Sequence, residues 1–223
     1  LLDGLRSALE GIPHEIVVVD DDSPDRTWEV AEAYACHHPQ VRVIRRFGES
    51  GLSSAVMAGM GGARGDVLAV IDADPQHDEA ALPEMVRRIT SGEVDVVVGS
   101  RSGDGGSYGD FGPLRRLISF VAATIARRVP VADPMSGYFA VSRETLRRVG
   151  PSINPQGFKI LLEFIGRRHD LRVAEVGYRF RNRVAGETKL SPSVIRSYLL
   201  AVAELRLGRQ VKGQFFLYAL VGL

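Results

Sequence analysis

Two acidic clusters in this 223-residue chain have the residue types and the spacing to do chemistry. The first is Val17-Val18-Val19-Asp20-Asp21-Asp22-Ser23-Pro24-Asp25, three consecutive carboxylates after an apolar run. Carboxylates at the end of a buried strand accept hydrogen bonds from nucleobase N–H groups or ribose hydroxyls, and Ser23 is placed to cap the turn that follows. Asp25 reads instead as a cap and charge for the next helix N-terminus. The second cluster is Ile71-Asp72-Ala73-Asp74-Pro75-Gln76-His77. Residues two apart in an extended segment face the same way, so Asp72, Asp74 and Gln76 can present three oxygens to one point. Hard oxygen ligands suit Mg²⁺ or Mn²⁺, which complete their shells with phosphate oxygens and water. His77 has no second His or Cys at ligand spacing and reads as a solvated loop residue, not a zinc ligand.

The cations lie further along: Arg101, Arg115 and Arg116, then Arg179, Arg181, Arg183 and Lys189. Residues 179–212 carry 8 Lys+Arg against 2 Asp+Glu, whereas residues 1–25 carry 1 against 7. Opposed fields of this kind suit a metal-bound diphosphate at the acidic end and an anionic partner at the basic one.

Something must position these groups. Apolar runs rich in Val and Ile at residues 15–20, 41–45, 66–72 and 94–100 alternate with helical spacing at residues 26–38, 53–64 and 79–90. This order predicts buried parallel strands with right-handed crossover helices, an α/β fold that binds ligands at the carboxyl ends of its strands. Beyond Arg101 the pattern changes to a Gly-rich loop at residues 103–109 and a helix at residues 113–128, apolar in the middle with Arg pairs at both ends. A turn at Asp133-Pro134, a short strand near residues 138–141, helices near 144–149 and 159–167, a strand at 172–180 and a helix at 192–207 complete the expected order.

Composition narrows the function classes. With 45% hydrophobic residues and 28 Lys+Arg against 27 Asp+Glu, for a net charge of +1, the chain is globular and not disordered, collagenous or coiled coil. The near-neutral total also excludes nucleic acid as the main partner, which would require a basic excess. The single Cys36 rules out an internal disulfide framework and reads as a small, semi-buried apolar residue. No apolar run reaches membrane-spanning length, and residues 1–6 lack a signal-peptide layout. Both ends read as cut, residues 214–223 stopping within an apolar run.

Taken in order, these stretches resemble family 2 glycosyltransferases of the GT-A fold, and more narrowly the dolichyl (polyprenyl) phosphate mannose synthases. The resemblance rests on residues 15–25, Gly51-Leu52 before a helix, Asp72-Ala73-Asp74 with Gln76-His77, and Gly99-Ser100-Arg101. It continues through residues 133–139, residues 157–163, and Arg183-x-x-Gly186-x-Thr188-Lys189-Leu190-Ser191. It implies a GT-A (Rossmann-like) mixed, mainly parallel sheet flanked by helices; the Arg-ended helix at residues 113–128 reads equally as an interfacial helix or as a core helix with snorkelling ends. The catalytic domain would occupy residues 1–208 without the family's first strand, and residues 209–223 would begin a C-terminal transmembrane region. The family's Pro-x-Tyr-Asn-Glu motif is absent before Leu1, Pro75 stands where Leu is usual, and Ser53 replaces the Gly of Gly-Leu-Gly.

The resemblance also implies roles. Asp20 and Asp21 would face the donor nucleotide, and Asp72, Asp74 and Gln76 would hold Mg²⁺ or Mn²⁺ on its diphosphate. Ser136 and Gly137 would border the sugar, Arg101, Arg115 and Ser119 would receive the lipid phosphate, and Arg183 and Lys189 would close over phosphates. Asp74, Arg101, Arg183 and Lys189 would then carry catalysis. The expected reaction moves mannose from GDP-mannose to polyprenyl or dolichyl phosphate, with inversion, at the cytoplasmic face of a membrane; no protein partner is legible. A phosphate acceptor is already ionised and needs no general base; Asp133 is the residue to test if it does. The rivals are a glucosyl- or aminoarabinosyltransferase using a UDP-sugar and a non-catalytic sugar-nucleotide-binding module. A Rossmann oxidoreductase lacks its Gly-x-Gly-x-x-Gly here.

Overall fold

The computed structural model describes residues 1–74, 76–101, 131–133, 136–153, 160–168 and 170–181. The expected helices at 113–128 and 192–207 and the expected membrane segment at 209–223 lie outside the described residues, as does the loop at 103–109.

The first half follows the expected alternation. Strand β1 (Ile16–Asp20) pairs in parallel with β2 (Val41–Arg45) across helix α2 (Thr27–Ala35). Helix α3 (Leu52–Gly62) leads to β3 (Val67–Val70). A short 3₁₀ turn (Glu79–Ala81) then opens helix α4 (Leu82–Thr90), where Pro83 sits in the first turn and needs no amide partner. Strand β4 (Val96–Ser100) ends the run; later come β5 (Phe139–Ser142), α5 (Arg143–Val149), α6 (Ile160–Arg167) and β6 (Val173–Gly177).

The second sheet has the order β3-β5-β4-β6. Strand β5 runs antiparallel to both its neighbours, whereas β4 and β6 are parallel. Among the described strands of this sheet three therefore point the same way and β5 is reversed, in keeping with the mixed, mainly parallel sheet expected. The reason is the path of the chain: β5 enters between two strands that already point the same way. Helix α1 (Leu2–Ala8) was not expected.

Strand alternation divides the core. Val96, Val98, Phe139 and Val141 face a cluster with Met60, Val149, Ile160, Leu161 and Phe164, from helices α3, α5 and α6. Val97, Tyr138 and Ala140 face the other side, with Leu5, Leu9, Leu82, Met85 and Ile89 from α1 and α4. Every residue of β4 is buried, because both faces of the sheet are covered. Cys36, by contrast, is exposed rather than semi-buried, at the C-terminal cap of α2.

Candidate active site

The first acidic cluster is divided by its own turn. Asp20 is buried and its Oδ1 accepts the Ser23 backbone N–H at 2.7 Å, so the aspartate, not Ser23, supplies the side-chain bond in this turn. Asp21 accepts from Arg46 Nε at 2.7 Å on one oxygen and from the Gly51 N–H at 3.0 Å on the other. Arg46 is itself buried and also donates to Glu49 (2.9 Å) and Ser54 Oγ (3.0 Å), so one guanidinium joins the ends of β1 and β2 to the start of α3. Asp22, at φ 57°, turns outward to pair with Arg45, whose guanidinium lies 3.5 Å from the Trp28 ring centroid. Asp25 accepts the Thr27 N–H and hydroxyl, the helix-start role expected of it, and these bonds hold its carboxyl below the usual range.

The second cluster sits in a closed ring of contacts built by chain segments far apart in sequence. Asp72 lies against Gly137: a Cβ on that glycine would fall 2.1 Å from Asp72 Oδ2, so only glycine fits beside the carboxylate. Asp72 Oδ2 also stands 3.5 Å from His77 Nε2. His77 is 3% exposed, which corrects its reading as a solvated loop residue. Its ring is enclosed by Tyr138, Tyr178 and Phe180, at centroid separations of 5.5, 5.4 and 5.4 Å. Burial pushes the Tyr178 and Tyr138 phenols well above their ordinary range, so both remain neutral. Tyr178 Oη and His77 Nδ1 stand 2.7 Å apart and share a buried hydrogen bond.

Phe180 continues the ring by lying 5.2 Å beneath the Arg101 guanidinium. Arg101 forms a bidentate pair with buried Asp133, Nε at 2.6 Å and Nη2 at 2.8 Å. The Ser136 N–H donates to the Asp133 carbonyl at 3.2 Å, and Gly137 returns the path to Asp72. Ser136 is buried and its hydroxyl bonds the Gly99 carbonyl at 2.7 Å, so it shapes the turn that carries Gly137.

Asp74 Oδ1 accepts the Gln76 N–H at 3.3 Å, and Gln76 is cross-linked to Arg181: Nε2 donates to the Arg181 carbonyl (3.2 Å) and the Arg181 N–H to the Gln76 carbonyl (2.8 Å). Arg181 in turn donates to Asp78 and Glu79, both at 2.9 Å, so this cation is engaged within the fold. Among the described residues there is no cluster of three or more His, Cys, Asp or Glu side chains able to cage a metal. Two carboxylates and a carboxamide oxygen still match, in donor chemistry, a hard divalent ion that takes its remaining ligands from a bound phosphate. Arg115, Ser119, Arg183 and Lys189 lie outside the described residues.

Sequence reasoning missed Arg46, Tyr178, Phe180 and the buried state of His77. One signal was available: in residues 177–181 the aromatics Tyr178 and Phe180 share one strand face and Arg179 and Arg181 the other.

Strands that deliver paired carboxylates to loops, with an antiparallel strand inserted between parallel ones, define an α/β fold of the GT-A class. A solved structure of that class, glucosyl-3-phosphoglycerate synthase from Mycobacterium tuberculosis with Mn²⁺, UDP and phosphoglyceric acid, shares the fold. It has a TM-score of 0.67 at 22% identity, over 95% of this chain and 74% of that one. The chain belongs to glycosyl transferase family 2, whose profile matches residues 1–150. A dolichol-phosphate mannosyltransferase of Pyrococcus furiosus is 40% identical over all of this chain and 64% of its own length. A protein of the same name from Saccharomyces cerevisiae is 40% identical over 86% of this chain and 74% of its own length. The chain thus spans just under two thirds of the Pyrococcus relative.

Proposed function

We propose that this chain carries the catalytic part of a polyprenyl-phosphate mannosyltransferase, which moves mannose from GDP-mannose to polyprenyl or dolichyl phosphate at the cytoplasmic face of a membrane. The observation that carries the reading is the ring Asp72–Gly137–Ser136–Asp133–Arg101–Phe180–His77, which puts a carboxylate suited to a metal-bound diphosphate and a guanidinium suited to a phosphate into one site. The names of the 40%-identical relatives support the sugar and the lipid class.

Asp72, Asp74 and the Gln76 amide oxygen would hold Mg²⁺ or Mn²⁺. The bound ion would screen the charge that develops on the departing nucleoside diphosphate. Asp20 and Asp21, fixed by the turn and by Arg46, would orient the nucleotide. Arg101, with Arg115 and Ser119, would receive the lipid phosphate, and Arg183 and Lys189 would close over phosphates. An acceptor phosphate oxygen attacks the anomeric carbon as the bond to the β-phosphate oxygen breaks, and GDP leaves with the electron pair; the sugar is inverted. No proton has to be removed from an ionised phosphate. Both oxygens of Asp133 are engaged by Arg101, which weighs against its serving as a base.

Full-length protein with Mn²⁺ or Mg²⁺, polyprenyl phosphate and labelled GDP-mannose, and separately labelled UDP-glucose, should give labelled lipid from the guanosine donor alone. Label from the uridine donor alone would sink the mannose reading, and none from either would favour a binding module. Asp74→Ala should abolish transfer while the melting curve stays that of a folded protein.

A further inference from the structure

The carboxylate beside Arg101 poses a problem for a phosphate site. Asp133 is 5% exposed and takes two of the guanidinium's hydrogen bonds, and its negative charge repels any phosphate that approaches. Such a neighbour is tolerable only if what it gives in orientation outweighs what it costs in charge. The structure supplies the rest of the support. Glu175, on β6, accepts the backbone N–H groups of Ala132 (3.1 Å) and Asp133 (3.4 Å) on one oxygen, which fixes the turn that presents Asp133. Phe180, three residues past β6, closes the guanidinium's other side.

We infer that Asp133 and Glu175 are positioning residues that hold the Arg101 guanidinium in the orientation used for the acceptor phosphate: Asp133 grips the guanidinium and Glu175 fixes the backbone of Asp133. This rests on Arg101 as the phosphate-binding cation. A bidentate carboxylate fixes a planar guanidinium in both direction and rotation, which a single hydrogen bond cannot do.

The test is steady-state kinetics of the full-length enzyme with each substrate varied in turn. Asp133→Asn and Glu175→Ala should each raise the acceptor KM by roughly tenfold, the usual scale for a lost supporting contact. The donor KM should stay within about twofold, because no ground-state contact to the donor is removed. Glu175→Gln, which keeps the accepting oxygen, should restore most of the loss. In an Arg101→Ala background neither substitution should have a further effect, the signature of residues that act through a third.

Four outcomes separate the ideas. An acceptor KM that falls in Asp133→Asn would mean the carboxylate only damps the cation's charge, and overturns the inference. Equal rises in both KM values with a lowered melting temperature would mark the pair as merely structural. Additive effects on top of Arg101→Ala would also overturn it. An unchanged acceptor KM in Arg101→Ala itself would instead remove the phosphate reading of Arg101 on which the inference stands.

Discussion

At Gly137 a hydrogen atom in place of a methyl group decides where Asp72 sits. The atoms that an alanine Cβ would strike are the carboxylate oxygens and Cγ of Asp72, at 2.1 to 2.5 Å, and no backbone atom is among the three nearest. A flexible side chain yields before a strand does, so Gly137→Ala should leave the fold intact and move the carboxylate. Misplacement of a reacting group by about 1 Å costs on the order of a hundredfold in turnover. We expect a loss of that size with the thermal midpoint nearly unchanged, measured as kcat with labelled donor beside a melting curve; full activity would remove Asp72 from the reaction. The Asp-x-Asp and the glycine were legible in the sequence because their signals are local: spacing in one case, a small residue in a turn in the other. His77 was misread because its burial is produced by Tyr138, Tyr178 and Phe180, residues 61 to 103 positions away, and no local pattern announces them. Arg46 escaped notice for the same reason: a lone arginine after a strand looks solvated until Asp21 and Gly51 close around it.

Among the elements, existence was more legible than direction. Strand β2 matches the expected residues 41–45, and β1, β4, α5 and α6 lie within a few residues of expectation, since each is a run of clear period. The direction of β5 was not legible, because alternation of inward and outward side chains is the same read either way along a strand. Helix α1 has seven residues, too few to be stable alone, and exists because Leu5 and Leu9 join the core cluster that holds Ala81, Leu82 and Met85, and because Gly4 lies against Glu79. The β4–β6 pairing carries a pH-dependent fastener at its start. Asp95 accepts the Arg172 backbone N–H at 2.8 Å and pairs with the Arg172 guanidinium, and these bonds, the side-chain one foremost, lower its carboxyl pKa from the ordinary 3.8. A pKa lowered by folding means that the folded state favours the anion, so the contribution is present above about pH 4 and is lost as the pH falls through the folded value. Asp95→Asn should therefore unfold at lower urea concentration than the parent at pH 7, with a narrower gap at pH 3, below the unfolded carboxyl's value. An equal gap at both pH values would mean that packing, not charge, joins the strand starts.

Over the whole molecule the net charge of +1 conceals opposed ends, and the structure redistributes the basic one. Arg181 is spent on Asp78 and Glu79, and Arg101 is half-neutralised by Asp133. The surplus that would draw in a lipid phosphate therefore falls to the exposed Arg179 and to the expected contributors Arg115, Arg183 and Lys189. No described helix is long and apolar enough to cross a membrane. The two substrates should then differ in their response to salt. A diphosphate met by a metal on Asp72 and Asp74 would be held by coordination, which ions in solution screen little. A phosphate met by side-chain cations is gathered over longer distances: raising salt from about 0.05 M to about 0.5 M shortens the screening length from roughly 14 Å to roughly 4 Å. With a short-chain, water-dispersible prenyl phosphate in place of the membrane lipid, that change should raise the acceptor KM several-fold while leaving the donor KM within about twofold. A donor KM that climbs as steeply as the acceptor's would show that the acidic end holds its nucleotide through surface charge rather than through a metal.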